Sequence, residues 1–259
     1  MIEILTPDQL RRARDTGALV GDILQTLRRR VTPGVNLLDI DRWTAALIRE
    51  AGAESCYLDY APPFGRGPFG HHICTGVNDA VLHGRPHDYR LADGDLLSLD
   101  LAVSLRGVAA DAAVSFIVGE ARDPESAHLI ETTERALAAA IAVARPGARV
   151  GDLSHVIGGV LTDAGYPVNL EFGGHGIGTT MHQDPHVANL GRPGRGYRLR
   201  PGLMLALEPW VMADTDELVV DPDGWTLRSA TGARTAHTEH TVAITEEGCE
   251  VLTLPRNPA

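Results

Sequence analysis

The sequence predicts an α+β fold in which two pseudo-symmetric halves share one antiparallel sheet. The first observation behind this prediction is an internal repeat, because Pro33–Gly52 aligns without gaps on Pro146–Gly165. The second is that each copy of the repeat follows another segment with helical periodicity. The third is that short apolar, strand-like runs follow each helix pair. We therefore expect a single domain over residues 1–259, with halves near 6–118 and 124–254.

Four helices are predicted from apolar periodicity and from their end signals. The first runs from Thr6 to Arg30 and has a Thr-Pro-Asp start of the kind that opens helices. The second and fourth are the repeated segments, in which a Pro-Gly turn precedes the helix and an Ala-Gly pair ends it. The third runs from Pro124 to Ala144, and its apolar stripe consists of Leu129, Ile130, Ala136, Leu137 and Ile141.

An acidic residue stands beside each of four strand-like runs. Asp100 and Asp111 would face each other across a hairpin that turns near Leu105-Arg106-Gly107. Glu208 and Glu239 would lie on adjacent strands of the second half, because turn signals punctuate the chain between them. Asp100 follows the apolar run 96–99 and Asp111 precedes the run 112–118. Glu208 follows the run 203–207 and Glu239 precedes the run 241–244.

Composition and charge restrict the class of protein. A chain of 259 residues with 44% hydrophobic content is long enough for a substantial core. The formal net charge of −11 argues against DNA or RNA as a main partner, and we assign the basic clusters 28–30 and 192–200 to solvated surface. No segment has the roughly 20 consecutive apolar residues that span a bilayer. Because the N-terminus resembles no signal peptide and the three cysteines are scattered, we expect a cytoplasmic protein without a membrane partner.

Side chains with metal-binding chemistry lie in or beside the strand-like runs. Taken singly, an Asp or Glu is usually a solvated surface residue and a lone His is usually structural. Acids within apolar runs differ, because an unpaired buried charge is destabilising by several kcal/mol. Carboxylates that share one pocket also repel each other unless cations separate them. The sequence therefore predicts a divalent metal site for hydrolysis, with two ions and five ligands: Asp100, Asp111, His175, Glu208 and Glu239.

Six short motifs, in order along nearly the whole chain, resemble type I methionine aminopeptidases. The eleven-residue separation of Asp100 and Asp111 matches that family as well. The motifs are Val77-Asn78-Asp79-Ala80-Val81-Leu82-His83-Gly84, Ser98-Leu99-Asp100, Gly174-His175-Gly176-Ile177-Gly178, His182-Gln183-Asp184-Pro185, Leu207-Glu208-Pro209 and Glu239-His240-Thr241. The resemblance implies the pita-bread (creatinase/aminopeptidase) fold, which agrees with two pseudo-symmetric halves.

The resemblance also implies a role for each ligand. Asp111 and Glu239 would bridge the two ions. Asp100 would complete the coordination of one ion, and His175 with Glu208 would complete that of the other. Glu208 would in addition take up the proton of the attacking water, with service as a ligand only as the alternative. Co, Mn, Fe and Zn all suit an oxygen-rich site with one imidazole, so the identity of the metal stays open.

Two further histidines, His83 and His182, match family positions that serve the scissile peptide. A tetrahedral intermediate needs hydrogen-bond donors for its oxyanion and its leaving amide, so both are predicted to be catalytic and to bind substrate. The other histidines outside the ligand motifs are predicted to be structural or exposed: His71, His72, His87, His128, His155, His186 and His237.

The pocket for the substrate methionine is where this chain departs from the family pattern. The resemblance implies that the pocket is lined by Phe69, Cys74, Met181 and Trp225, for which ordinary core packing is the alternative. Arg66 is predicted to contact substrate at the rim and change its preference, and a solvent-directed Arg66 is the alternative. The departures are Arg66 for a tyrosine, Met181 for a phenylalanine, His71-His72 for Lys-Ser and Gln183 for a glutamate.

These expectations combine into one predicted function. The resemblance implies a metal-dependent aminopeptidase that removes N-terminal methionine from peptides or nascent proteins with a small second residue. Its partner would be a peptide or a nascent chain at the ribosome, and the enzyme is expected to be a monomer. One alternative is an accessory pita-bread peptidase with altered preference, motivated by Arg66. Another is a non-catalytic peptide-binding relative, which the complete ligand set disfavours.

Overall fold

The computed structural model describes residues 1–63 and 65–256. In this part of the chain, four helices accompany an antiparallel sheet of nine strands and two smaller sheets of three and two strands. No helix within these two stretches has the length and apolar content needed to cross a bilayer. The helices are α1 (Pro7–Arg30), α2 (Leu37–Glu50), α3 (Pro124–Val143) and α4 (Val150–Asp163).

The strands are short except for one long hairpin. They are β1 (Glu54–Ser55), β2 (Cys74–Val77), β3 (Ala80–Leu82), β4 (Leu96–Leu105), β5 (Val108–Ile117), β6 (Gly173–Gly176), β7 (Gln183–Ala188), β8 (Met204–Leu207), β9 (Trp210–Met212), β10 (Leu218–Val220), β11 (Leu227–Ser229), β12 (Thr235–His237), β13 (Glu239–Ile244) and β14 (Cys249–Val251). The large sheet has the order β1-β4-β5-β13-β8-β6-β7, with β2 paired to β4 and β14 to β13. Strands from both halves of the chain therefore meet where β5 pairs with β13.

Three of the four described helices, α1, α2 and α3, begin at residues whose side chains satisfy free backbone N–H groups. Thr6 accepts a hydrogen bond from the N–H of Gln9, and the Gln9 side chain accepts one from the N–H of Thr6, which forms a capping box before α1. Asn36 caps α2 and Asp123 caps α3 in the simpler way, by accepting a backbone N–H two residues on. These caps explain why the observed helix starts follow the predicted ones closely.

The turns before α2 and α4 show how closely the two halves correspond. Gly34 and Gly147 both have φ of +92°, a left-handed conformation that glycine adopts without strain. The N–H of Gly34 donates to the carbonyl of Leu91 at 2.7 Å, and the N–H of Gly147 donates to the carbonyl of Leu199 at 3.0 Å. The predicted α+β fold with two pseudo-symmetric halves on a common antiparallel sheet is confirmed. The boundaries 6–118 and 124–254 stay predictions.

Each helix pair packs on its own part of the sheet. Leu27 of α1 and Ile40 of α2 are fully buried in one cluster with Leu99 of β4. Each such burial stabilises the fold by about 1.5–3 kcal/mol. A second cluster joins α3 and α4 to the other half of the sheet and includes Leu129, Leu153, Ile157, Leu205 and Val242. The two cores hold the two sets of strands against each other, and the candidate site lies between them.

Strand register places the acidic side chains on one face of the sheet. Asp100 of β4 and Glu239 of β13 are both directly opposite Ala113 of β5, one on each side. Directly opposed residues project to the same face, as do residues two apart on one strand. Asp111 is two residues from Ala113 on β5, so the three carboxylates project from a single face. His175 of β6 enters the same sheet beside β8.

Candidate metal centre and substrate cleft

One small cavity brings the five predicted ligands together. It measures about 30 Å³, room for about two water-sized spheres. Two catalytic candidates, His83 and His182, border the same cavity, as do the pocket candidates Phe69, Cys74 and Trp225. Leu82 of the first motif and two side chains outside the motifs, Tyr57 and Tyr60, complete its wall.

The two aspartates of the β4–β5 hairpin are held by hydrogen bonds. The hydroxyl of Tyr57 lies 2.5 Å from Oδ1 of Asp100 and 3.2 Å from Oδ1 of Asp111. The backbone of Asp111 is fixed by Thr241 on the neighbouring strand, whose hydroxyl accepts from the Asp111 N–H at 2.9 Å and donates to its carbonyl at 2.7 Å. Both carboxylates therefore have defined orientations before any cation is bound.

Glu208 lies between two histidines on the other side of the cavity. Its Oε1 is 3.6 Å from Nε2 of His175, and its Oε2 is 3.8 Å from Nε2 of His237. The same His237 nitrogen is 3.9 Å from Oε2 of Glu239. These separations exceed hydrogen-bond length, so the imidazoles and carboxylates face one another across a gap. Nδ1 of His175 lies 3.0 Å from the carbonyl of Gly176, which leaves its Nε2 directed at the cavity.

Burial raises the pKa values of the four carboxylates in the site, and mutual repulsion adds to the effect. Burial raises the pKa of Glu208 to about 8, with the charge of Asp100 adding to the effect. Burial also raises the pKa of Asp100 to about 6, although the hydrogen bond from Tyr57 opposes the rise. The pKa values of Asp111 and Glu239 lie well above their ordinary values, because both groups are buried and face the other carboxylates. Four ionised carboxylates here would require compensating positive charge.

The donor set fits divalent metal. One ligand atom each from Asp111, His175 and Glu239 lie within 4.8 Å of one another, close enough for a single ion to contact all three. Oε1 of Glu239 and Nε2 of His237 are buried without a hydrogen-bond partner in the described structure, which is the condition that a cation or its water would relieve. Burial also lowers the pKa of His175 to about 3, so its imidazole is neutral and able to act as a ligand.

An open cleft of about 230 Å³ adjoins the carboxylates and is bordered by the two catalytic candidates. The ring of His182 lies 4.2 Å from that of His175, measured between centroids. Burial lowers the pKa of His83 to about 4, with the positive charge of a protonated His182 contributing. Both imidazoles are therefore neutral at pH 7, each with one N–H to donate toward a bound peptide. His186, predicted to be structural or exposed, also borders this cleft.

The residues predicted to receive a methionine side chain fall into two groups. Phe69 and Trp225 pack edge to face, with ring centroids 5.2 Å apart, and together with Cys74 they border the cavity. Met181 is buried in the same apolar cluster but is not among the described residues that line the cavity. Arg66 is exposed, and its methylene stem covers Gly224 outside the cavity. Substrate contact by Met181 and Arg66 stays a prediction.

Two residues at the centre were not singled out by the sequence motifs. Tyr57 lies in an irregular segment after β1, where no periodicity reveals which way a side chain points. His237 was predicted to have an ordinary role, yet it is 2% exposed and faces both Glu208 and Glu239. A signal for it was present, because residues two apart in an extended segment project to the same side. His237 precedes Glu239 by that spacing.

Comparison with known proteins places this site among metallopeptidases. The profile of metallopeptidase family M24 matches residues 11–246. A methionine aminopeptidase of Mycoplasma capricolum subsp. capricolum is 37% identical over 253 residues, which cover 98% of this chain and 98% of that protein. Methionine aminopeptidase 1 of Mycobacterium tuberculosis is 40% identical over 245 residues, which cover 92% and 90% of the two chains.

Solved structures give the same result at the level of the fold. The crystal structure of methionine aminopeptidase from Thermotoga maritima superposes with a TM-score of 0.93 at 35% identity, covering 98% of this chain and all of that one. A prolidase from Pyrococcus horikoshii has a TM-score of 0.75 at 18% identity, and the match covers 98% of this chain and 64% of that one. At such low identity the prolidase likeness concerns the fold alone.

Proposed function

The chain belongs to metallopeptidase family M24, and from this premise we propose that it removes N-terminal methionine from peptides whose second residue is small. It is a metal-dependent methionine aminopeptidase, like relatives that match almost its full length. The observation that carries the proposal is the single cavity in which four carboxylates and a neutral imidazole converge beside an open cleft. The cleft is open to a peptide end, and it shares Tyr60, His83 and Glu208 with the cavity.

The metal centre is proposed to hold two divalent ions, and Co, Mn, Fe and Zn suit its oxygen-rich donors. The ligands are Asp100, Asp111, His175, Glu208 and Glu239. Bound divalent metal would make a water nucleophilic near neutral pH and polarise the peptide carbonyl. Support for two ions comes from charge, because one divalent cation leaves four ionised carboxylates with an excess of negative charge.

Glu208 is proposed to move the proton of the attacking water. Its carboxylate borders both the buried cavity and the open cleft, so it can contact a water there and a leaving amide nearby. His83 and His182 are proposed to bind the scissile peptide with their N–H groups and to stabilise negative charge that develops on its oxygen. Both rings border the cleft, which supports this assignment.

The substrate methionine is proposed to lie against Phe69, Cys74 and Trp225. These side chains line the same cavity as the carboxylates, and Tyr60 lines both the cavity and the cleft. A thioether packs well on aromatic edges, which supports methionine over a polar residue. Met181, which is buried in the same cluster, is proposed to contact the substrate methionine as well.

The natural substrate is proposed to be a peptide or a nascent chain at the ribosome, and the enzyme to act as a cytoplasmic monomer. The acidic net charge of −11 agrees with a peptide rather than a nucleic acid as its partner. Cys56, Cys74 and Cys249 are free thiols, which agrees with a reducing compartment.

Hydrolysis of Met-Ala-Ser tests the proposal. We expect release of free methionine with added Co, Mn or Fe(II), negligible release after chelation and recovery when metal is returned. N-acetyl-Met-Ala-Ser is the matched control and should stay intact, because an aminopeptidase needs a free amino end. Absence of methionine release with every metal tried would contradict the proposed activity.

A further inference from the structure

The first residues of the chain lie against the loop that carries His182. We call residues Ile2–Leu5 the N-terminal strap and residues Ile177–His182, which connect β6 to β7, the site loop. Oε2 of Glu3 accepts three hydrogen bonds: from the N–H of Thr179 at 2.9 Å, from the Thr179 hydroxyl at 3.0 Å and from Nε2 of Gln183 at 2.8 Å. One carboxylate oxygen thus joins Thr179 in the middle of the site loop to Gln183, the first residue of β7.

The fit between strap and loop is close. A Cβ atom placed on Gly178 would lie 2.4 Å from Oε2 of Glu3, so a side chain at that position and the carboxylate exclude each other. The strap is fixed at its other end, because Leu5 is buried in one cluster with Ile177 and its N–H donates to the carbonyl of Gly202 at 2.8 Å. Both sides of Glu3's contact are therefore anchored to the folded core.

The amide side chain of Gln183 is suited to bind the carboxylate of Glu3 in the strap. A glutamine can donate two N–H bonds, whereas an ionised glutamate can only accept and would repel the Glu3 carboxylate. Partial burial would raise the pKa of Glu3, but the hydrogen bonds from Gln183 and Thr179 outweigh it and hold the pKa below its ordinary value. Glu3 is therefore ionised at pH 7. The pair gives a physical reason for glutamine at a position where the family pattern has glutamate.

We propose that Glu3 is a positioning residue that holds the site loop, and thereby His182, in place at the substrate cleft. His182 immediately precedes Gln183, and its ring lies beside both His175 and Tyr60 at the cleft. Release of the strap would let the loop sample arrangements in which His182 does not face substrate. Turnover would then fall with the fraction of molecules in the competent arrangement. The kinetic part of this inference rests on the proposed peptidase activity.

An exchange of the two side chains is the sharpest test. Gln183→Glu leaves two carboxylates facing each other and so breaks the bond, whereas Glu3→Gln keeps an amide oxygen that can still accept and only weakens the contact, because the acceptor is no longer charged. The double variant restores an amide and a carboxylate in reversed positions. We expect Gln183→Glu to lower kcat by about three- to tenfold with little change in KM, the size of one ordinary hydrogen bond, and Glu3→Gln to lower it less. The double variant should recover most of the loss.

Loop order is read independently of activity by hydrogen exchange of a peptide that covers residues 177–183. Exchange should accelerate in both single variants and in Gly178→Ala, and should return toward wild type in the double variant. Asp8→Asn is the matched control, because it removes an acidic side chain from the first turn of α1 without contact to the loop. It should leave both readouts unchanged.

The outcomes separate the two proposals. A wild type that releases no methionine would remove the proposed function, while hydrogen exchange would still decide the role of Glu3. Unchanged exchange and unchanged kcat in both single variants would overturn the positioning role. Equal losses in the single and double variants would also overturn it, because a direct Glu3–Gln183 interaction requires rescue.

Discussion

The hydroxyl of Tyr57 lies 2.5 Å from Asp100 and 3.2 Å from Asp111, so one tyrosine contacts two of the proposed metal ligands. A hydroxyl has one hydrogen to donate, and the shorter distance assigns it to Asp100. Tyr57 is itself buried, and burial together with the neighbouring carboxylates raises the pKa of its phenol well above the ordinary value. The phenol therefore stays protonated at neutral pH and can donate to Asp100.

Removal of this hydroxyl should weaken metal binding. Outer residues that orient metal ligands typically contribute about 10- to 100-fold in affinity or activity, so Tyr57→Phe should lower Mn(II) affinity by about tenfold. Calorimetric titration measures the change. Tyr89→Phe is the matched control, because its hydroxyl also donates to a carboxylate, Asp95, but remote from the site. Equal affinities for Tyr57→Phe and the control would show that the tyrosine does not orient Asp100.

Substitution of a metal ligand should remove metal binding, whereas substitution of a peptide-binding histidine should slow turnover. Asp111→Asn should abolish metal binding, since Asp111 lies on the strand at the centre of the carboxylate cluster. His83→Ala should retain metal and slow turnover by about two to four orders of magnitude, the usual range for an acid-base or oxyanion group. Titration of metal into both variants, beside their rates on Met-Ala-Ser, provides the comparison. Wild-type metal affinity in Asp111→Asn would refute its assignment as a ligand.

Stability of the metal-free protein should fall as the pH rises. The folded pKa of Glu208 is about 8, above its ordinary value of 4.5, because burial disfavours the charged form. The folded state therefore holds a proton that the unfolded chain releases, and this stabilisation is complete below pH 4.5 and is lost as the pH rises through 8. Thermal unfolding in chelator should show a decreasing Tm between about pH 6.5 and 8, because below pH 6.5 the buried neutral histidines, with the pKa of His175 lowered to about 3 and that of His83 to about 4, gain stability as the pH rises and oppose the effect. Added metal should flatten the decrease, and an equal slope with and without metal would contradict this explanation.

Arg66 should have little influence on the reaction. It is exposed, and its stem lies over Gly224 rather than along the cavity. This position favours the solvent-directed alternative for Arg66, so Arg66→Tyr is expected to change kcat/KM for Met-Ala-Ser by less than about twofold, well below the effect of the 1–3 kcal/mol typical of one pocket contact. Peptides with acidic, neutral and basic third residues form the test panel. A several-fold gain for Arg66→Tyr would place this side chain at the rim after all.

Local sequence was sufficient to predict the fold because each signal had a local physical cause. The Pro-Gly turns before α2 and α4 need a left-handed glycine, and the caps at Thr6 and Asn36 satisfy backbone N–H groups within a few residues. The convergence of Asp100, Asp111 and Glu239 was inferable for a similar reason, because acids in apolar strands must share a partner. Alternation along a strand then determines the face on which they meet.

The residues that the sequence did not single out depend on long-range chain paths. Tyr57 reaches the carboxylates from an irregular segment, and Glu3 contacts a loop 176 residues away. No local pattern records such contacts, because neither residue belongs to a periodic face. His237 differs, because its two-residue spacing from Glu239 indicates that both side chains project to the same side. A lone histidine is nevertheless more often structural than functional, so the sequence predicts an ordinary role for it.

The seam between the two halves gives bound metal a second role. Asp100 and Asp111 come from the first half, whereas His175, Glu208 and Glu239 come from the second. An ion held by both sets would stabilise the contact between the two halves, because separating them would break its bonds to the ligands of one half. Tighter metal binding would then also strengthen the association of the two halves. One half supplies only two of the five proposed ligands and the other only three, so the complete centre requires both.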